Sequence, residues 1–460
     1  MHENGLKILP STNNVSDKQS NTSGLSPGPS SPPSCILYST DRVALIDIPT
    51  SIADAQQTLP GLSTSSLISC NPRTTPFPNH EPKSDAARQK LRQKMATEND
   101  DLYSLLISSA LADIHKNYSG PWYLPRTVVP QPEHSLPQKR KTFDPLSDAE
   151  SVRDHLLHQL SSGTSPSCTY RWRHVDDQQN AREPLPETSS WPRYLYNSSD
   201  VTRILDVSST SMPIPASFYI PPGAAFYLGD CSSSRPFHMA VKHVAEQLDT
   251  SRQFDVIVMD PPWPNASVRR TEKSGRSAYQ VSPTVWDIRQ LIFEMDIDVL
   301  LANQGVIAIW ITNKPAVRDL VLGEDGLFDS WDVQLEEEWL WIKTTTEGEP
   351  VSSLDALWRK PYEVLLVGRK NDPRRSDQHV NSTHVSKVER RVIVGLADLH
   401  SRKPCLEPLL ERFVISPTPT PTSTKQRILE CFARYSVAGW WSWGNQVLKF
   451  NHTDCWQSKS

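Results

Sequence analysis

The seven cysteines (Cys35, Cys70, Cys168, Cys231, Cys405, Cys431 and Cys455) lie far apart, and no C-x-x-C pair occurs. That spacing argues against a zinc site and a disulfide framework, and fits a reducing compartment. No G-x-G-x-x-G, no G-x-x-x-x-G-K-[ST] and no H-E-x-x-H occurs, and the histidines show no ligand spacing. A dinucleotide enzyme, a nucleoside triphosphatase and a zinc hydrolase therefore lose their sequence support, and no metal is expected. No apolar run approaches the roughly 18 residues of a membrane span. The start, Met1-His2-Glu3-Asn4-Gly5, has neither the charged region nor the apolar stretch of a signal peptide. A soluble intracellular protein without membrane contact is expected. A basic surplus is also missing: the net charge is -4. Nucleic-acid binding would need a local basic patch. Apolar residues make up only 37%, against 39 prolines, so part of this long chain is expected to stay unpacked.

What is present divides the chain in three. Residues 1–83 are rich in Ser, Thr, Pro and Asn, as in Ser26-Pro27-Gly28-Pro29-Ser30-Ser31-Pro32-Pro33. Such a segment buries too little apolar area to offset its ordering entropy, and disorder is expected. One apolar patch, Val43 to Ile52, suits a docking segment or a strand. Residues 84–200 turn helical. Leu91, Met95, Leu102, Leu105, Leu106 and Ile114 fall at helical spacing, and Gly120-Pro121 stops them. Ser147 with Glu150 three residues on has capping-box spacing, followed by Val152, Leu156, Leu157 and Leu160. This reads as a helical accessory region, a lid or an RNA-facing module. Lys139-Arg140-Lys141 has the character of a weak nuclear localisation signal. Residues 201–460 alternate strands and helices from Ala225 onward, which predicts an open, mostly parallel α/β sheet with helices on both faces.

The most informative stretch is Phe254-Asp255-Val256-Ile257-Val258-Met259-Asp260-Pro261-Pro262-Trp263. Val and Ile favour a buried strand, and two prolines cannot continue it. The strand thus delivers Asp260 to its carboxyl end, where ligands bind in open α/β sheets. The prolines fix a turn without N–H donors, so their carbonyls are expected to be free acceptors. Trp263 offers a flat face for a planar base. Acid, carbonyl and stacking face together suit an exocyclic amino group, although a lone strand ending in these residues is also compatible with ordinary core packing. Other strands end in polar residues too, at Gly229-Asp230, Thr312-Asn313 and around Glu430 to Arg434.

Taken in order, these residues resemble the MT-A family of adenine-N6 methyltransferases, in its methyltransferase-like protein four branch. The likeness runs from about Ala224 to Cys455. Its carriers are Asp260-Pro261-Pro262-Trp263, Asn265, Ser267-Val268-Arg269-Arg270, Trp310-Ile311-Thr312-Asn313 and Trp339-Leu340-Trp341-Ile342-Lys343. They continue through Arg359-Lys360-Pro361-Tyr362-Glu363, His400-Ser401-Arg402-Lys403-Pro404, Leu429-Glu430-Cys431-Phe432-Ala433-Arg434 and Gly439 to Phe450. The resemblance implies a Rossmann-like sheet using S-adenosylmethionine, with the catalytic strand before the cofactor strand, a permuted order. It implies that Asp260 and the Pro261 carbonyl accept from the adenine amino group while Trp263 stacks. It places Asp230 and Cys231 at the cofactor's adenine end. Lys403, Glu430, Arg434, Asn445 and Gln446 match positions that bind its carboxylate, ribose and adenine, with Asp260 alongside. Asn265, Arg269, Arg270, Tyr279, Trp310, Asn313, Lys343 and Glu363 are implied substrate contacts. Cys431 stands where the family usually has Leu, and Arg402 where a His is common.

The resemblance implies an RNA substrate ahead of DNA, with small nuclear RNA leading, a nuclear location with cytoplasm as the alternative, and activity as a monomer or with a protein partner. Two rivals stand beside it. One is a catalytically silent nucleic-acid-binding subunit, which the intact Asp260-Pro261-Pro262-Trp263 speaks against. The other is a cytosine amino-methyltransferase, which usually has Tyr or Phe where Trp263 stands. The basic loop Arg269 to Arg276 suits phosphate contacts beside a base pocket, and the target base must be unpaired or flipped to enter it.

Overall fold

The computed structural model describes residues 34–56, 65–78, 84–95, 98–128, 147–162, 168–175, 191–192, 194–209, 215–264, 284–357, 360–372, 387–399, 402–413 and 427–458. These belong to one unit, Pro33–Ser460. Asn265, Arg269, Arg270, Tyr279 and the Lys139-Arg140-Lys141 triplet lie outside the described residues.

Short β-branched and aromatic runs form eleven strands of one mixed sheet. Along it lie β1 (Ile36–Ser39), β2 (Val43–Ile46), β14 (Glu389–Leu396), β12 (Val333–Thr344), β13 (Tyr362–Lys370) and β11 (Leu301–Ile311). Then come β10 (Phe254–Met259), β15 (Ile428–Cys431), β16 (Trp441–Gly444), β9 (Ala225–Leu228) and β6 (Tyr194–Tyr196). From β11 to β9 all neighbours are parallel. Only β13 runs against this direction in the interior, between β11 and β12. The carboxyl ends of β9, β16, β15, β10, β11, β12 and β14 therefore share one edge with the start of β13.

Alternation along each strand divides the core between two faces. Ile257 and Met259 of β10 join Ile307, Ile309 and Ile311 of β11 on one face. Val256 and Val258 join Val306, Ala308 and Trp310 on the other. The first face is covered by α3 (Asp100–Asn117), α5 (Ser234–Leu248), α6 (Val285–Glu294) and α7 (Pro315–Leu322). Two of these helices show their start signals in sequence. Thr284 and Asp287 form a reciprocal capping box at the start of α6, and Pro315 begins α7 where no N–H is needed.

The second face is covered in part by α1 (Ile48–Asp54). This corrects the expectation of disorder over residues 1–83, within which the apolar patch Val43 to Ile52, read as a docking segment or a strand, forms β2 and part of α1. Residues 36–54 and β3 (Ser65–Ser69) are structured, and β2 pairs with β14. The reason is local: Ile46, Ile48 and Ile52 are fully buried, which outweighs the polar average of the segment around them. Asp47 caps α1 through Thr50 N–H.

The region 84–200 is likewise not only helical. It holds α2 (Asp85–Met95), α3 and α4 (Ser147–Ser162), but also β4 (Thr127–Val128), β5 (Cys168–His174) and β6. β4 and β3 make a small sheet with β17 (Trp456–Ser458), while β5 pairs with β7 (Arg203–Ser209), which pairs with β8 (Ala216–Ile220). α3 buries Tyr103, Ile107, Leu111 and Ile114 against the main sheet, so part of this region is core. No helix among the described residues is long and apolar enough to cross a membrane.

Candidate active site

β10 ends one residue before Asp260, whose side chain is about a quarter exposed at the strand-end edge. On one side, β11 ends before Thr312 and Asn313; on the other, β15 carries Glu430, opposite Val258, and turns toward Arg434. Val258, Asp260, Trp310, Lys403, Glu430 and Arg434 line a shared cleft. The next strand outward, β16, leads to Asn445 and Gln446, and β9 leads to Asp230 and Cys231. Residues far apart in the chain thus meet along one edge.

The chemistry at the centre is ionic. Lys403 places its ammonium 3.3 Å from Asp260 and 2.6 Å from Glu363, and Glu363 also pairs with Lys343 at 2.6 Å. Burial works against the charged form of Glu363, but Lys403 and Lys343 outweigh it and hold the carboxyl below its ordinary range. Burial opposes the charge on Lys403 as well, yet Asp260 and Glu363 raise its affinity for the proton. The indoles of Trp310 and Trp341 sit under this cation at 4.8 and 5.5 Å, and Lys343 lies 4.5 Å from Trp341.

Two details differ from the sequence reading. Trp263 is only 5% exposed, packed in the core, and its indole N–H donates to the Trp310 carbonyl at 2.6 Å. A ring so enclosed anchors the turn to β11 and offers no open face for a base. The Pro261 carbonyl is not free: it accepts the Trp263 N–H at 2.8 Å. A carbonyl has two lone pairs, so one acceptor position remains. Pro264 is held similarly, its carbonyl accepting from Lys314. The Asp-Pro-Pro-Trp turn is thus pinned from β11 and from the residue that precedes α7.

The remaining candidates fall into two groups. Asn313 donates to the Tyr362 carbonyl at 2.7 Å, tying β11 to the start of β13 directly before Glu363. Cys231 is buried, which pushes its thiol pKa up with help from Asp230, and Asp230 accepts the Ser232 N–H at 2.8 Å. Among the described residues, Glu430 Oε2 and Asn445 Oδ1 are buried acceptors without a hydrogen-bond partner. Such atoms are costly unless a donor arrives. Burial, with Asp260 adding to it, raises the Glu430 pKa to about 8 against the lowering effect of Arg434.

The backbone between these groups is constrained. Phe432 adopts a φ of 59°, a rare conformation for a bulky residue, at the switch from β15 to the loop. Gly444 faces this turn, where a Cβ would stand 3.2 Å from the Ala433 nitrogen. Arg402 faces inward, pairing with Asp398 at 3.1 Å and donating to the Ile68 carbonyl, so it braces the segment that delivers Lys403. Trp341 and Tyr435 had no role assigned from sequence. Trp341 alternates with Trp339 on one face of a strand, a pattern that ordinary core packing also produces. No group of metal-ligating side chains occurs among the described residues.

A mixed sheet with an acid, two prolines and an aromatic closing a central parallel strand, and with unsatisfied acceptors on the adjoining β15 and just beyond β16, defines an α/β fold with a cleft at its strand ends. The MT-A70 family model matches residues 254–446, from the first residue of β10 to Gln446. The N6-methyladenosine RNA methyltransferase MTA1 of Pyricularia oryzae is 32% identical over 448 residues, covering 92% of this chain and 97% of that protein. The N(6)-adenine-specific methyltransferase METTL4 of Homo sapiens is 33% identical over 272 residues, 59% of this chain and 50% of its own length. The DNA N6-methyl methyltransferase of Caenorhabditis elegans is 31% identical over 218 residues, 47% of this chain and 49% of that one. The chain belongs to the MT-A70 family, and its fold is that of the family's α/β methyltransferase domain.

Proposed function

We propose that this protein is an adenine-N6 methyltransferase acting on nucleic acid, RNA ahead of DNA, with S-adenosylmethionine as donor. The observation that carries the reading is Asp260 at the end of β10, held 3.3 Å from Lys403 beside the cleft. Near full-length similarity to a protein named for RNA methylation supports RNA. The half-length match to a DNA enzyme keeps DNA as the second substrate to test. The motif order is read as permuted, because β10 precedes β15 and β16 in the chain.

The donor fits the residues present. Glu430 and Asn445 hold buried acceptors that ribose hydroxyls and an adenine amino group would satisfy. Arg434, Gln446, Asp230 and Cys231 complete that side. When bound, S-adenosylmethionine supplies a methyl group on a positively charged sulfur. The chain's own residues prepare the acceptor nitrogen. An adenine amino lone pair is delocalised into the ring and is a poor nucleophile. Asp260, with Lys403 beside it, accepts one amino N–H, and the spare lone pair of the Pro261 carbonyl accepts the other. Both bonds draw the nitrogen out of conjugation and fix its direction. Orientation of this kind supplies roughly 7–11 kcal/mol of the barrier reduction in favourable cases. The methylated nitrogen sheds its proton readily, so no separate base is required. Lys343, Glu363 and Trp310 hold the acid and its cation in register, and Trp263 holds the turn.

Asp260→Ala tests this reading through two readouts. Methyl transfer to an adenine-containing RNA should be lost, while donor binding by calorimetry stays partly intact. Full turnover in the variant would overturn the assignment. A nuclear location is proposed as well, resting on the Lys139-Arg140-Lys141 triplet, and imaging of a triple-Ala variant tests it.

A further inference from the structure

The loop that joins β15 to β16 spans nine residues, Phe432 to Trp440, and forms neither helix nor strand. The two strands are parallel neighbours, and such a connection ordinarily takes about a dozen residues or more, usually with a helix. A helix would satisfy its own backbone. Apart from Arg434 and Gly439, the residues of this loop are buried, so its amides and carbonyls need partners from elsewhere. The same loop forms one wall of the cleft, where Arg434, Tyr435 and Trp440 stand with Glu430.

Those partners come from both ends of the chain. Ser436, in the middle of the loop, is fully buried. Its N–H donates to Asn451 Oδ1 at 2.7 Å, and its carbonyl accepts from Gln56 Nε2 at 2.9 Å. The two amide side chains are themselves joined, Asn451 Nδ2 donating to Gln56 Oε1 at 2.9 Å. Gln56 Nε2 also donates to the Ile52 carbonyl at 3.3 Å, and Asn451 Nδ2 to the Tyr219 carbonyl at 2.8 Å. Both ends of each amide are thus engaged, which fixes the way each one faces. Beside Gln56, the Ala55 carbonyl accepts the Ala438 N–H at 2.9 Å. Tyr435 and Val437 pack with Ile52 and Ala55 on the second face of the sheet, which is also the face of Val258 and Trp310 in the cleft. The end of α1 therefore backs the cleft wall that Arg434 and Tyr435 form.

We propose that Gln56 and Asn451 are positioning residues for the donor: they clasp Ser436 and so hold Arg434 and Tyr435 in place beside Glu430. The inference rests on the proposed methyltransferase reading and adds that the N-terminal segment sets how tightly S-adenosylmethionine is held. Neither Gln56 nor Asn451 is among the residues lining the cleft, so both act through the loop. Without the clasp, a buried carbonyl and a buried amide lose their partners, a costly state that the loop relieves by shifting toward water. Such a shift moves Arg434, two residues before Ser436. Phe432, with its φ of 59°, adds to the need for the clasp, because strained backbone persists only where its surroundings hold it.

The test uses the full chain and Gln56→Met, which keeps the side chain's length and bulk but removes both polar ends. Calorimetry with S-adenosylmethionine should show Kd raised by about tenfold, the scale of leaving a buried backbone group unpaired. KM for the donor should rise in step, while kcat at saturating donor stays that of the parent. Gln56→Glu repeats the test in a nearly identical shape. It keeps the acceptor for Asn451 and loses the donor to Ser436, and Kd should rise again. Ile107→Ala is the control, since Ile107 is fully buried in α3 on the first face of the sheet. It should lower the melting temperature and leave Kd unchanged. An unchanged Kd in both Gln56 variants would overturn the inference. An equal rise in Ile107→Ala would overturn it too, because affinity would then follow stability alone. If the parent binds no S-adenosylmethionine, the function proposed above falls instead.

Discussion

At the scale of single residues, the site is governed by one ammonium shared between two carboxylates. Removing that cation by Lys403→Met leaves Asp260 without its cation and Glu363 with Lys343 alone. Fully buried pairs broken this way lose several kcal/mol. With 15–29% of these side chains exposed, the expected cost is about 1–3 kcal/mol, read by urea unfolding. Turnover should fall by about 100-fold, since the orienting acid is displaced. Glu430 makes a prediction in pH. Its folded pKa, about 8, lies above the ordinary carboxyl value of 4.5, so the folded protein binds this proton more tightly than the unfolded chain does. That contribution to stability is complete below pH 4.5 and is lost as pH rises toward about 8. Glu430→Gln should therefore flatten the decline in melting temperature across that window. A parallel decline in parent and variant would remove Glu430 as its source. Asp260 itself was legible from sequence because proline chemistry forces a strand to stop there. Trp263 was not, since an aromatic after a turn has the same sequence signature whether it faces a ligand or the core.

At the scale of elements, strands of the α/β region were readable whether long, as β10, or only four residues, as β9 and β15, while the short N-terminal strands were less so. β10 occupies Phe254 to Met259, the apolar run that the sequence places before Asp260. β1 and β2 are four residues each, and the cause of their formation is tertiary: β2 gains its place by pairing with β14. β5 has a period-two alternation, Tyr170 and Trp172 against Arg171 and Arg173, which signals a strand. The abundance of Arg and Pro around it obscured that signal. Asp206 of β7 pairs with both arginines, at 3.3 and 2.9 Å. The N-terminal addition is testable. Ile52 of α1 is fully buried beneath the second face of the sheet, so Ile52→Ala should cost about 2–4 kcal/mol in urea unfolding. A change near zero would mean that α1 contributes nothing to the core.

At the scale of the whole molecule, one sheet edge collects an acid from β10, a cation delivered after β14, acceptors from β15 and beyond β16, and the start of α3, where Asp100 pairs with Lys360. That convergence joins the N-terminal region to the methyltransferase domain, since α3 packs on the same sheet that presents Asp260. The family likeness read from scattered motifs anticipated the α/β domain. The apolar patch Val43 to Ile52 was legible as a strand or docking segment, but its place in the main sheet was not, because β2 pairs with β14, which is far away in the sequence. The central claim, that this edge makes N6-methyladenine, is tested most directly by nucleoside mass spectrometry. Parent protein and Asp260→Asn are incubated with S-adenosylmethionine and either RNA or DNA, and every methylated nucleoside is quantified. The account predicts N6-methyladenosine from RNA with the parent and none with the variant. Methylation of another base, or undiminished N6-methyladenosine with Asp260→Asn, would contradict it.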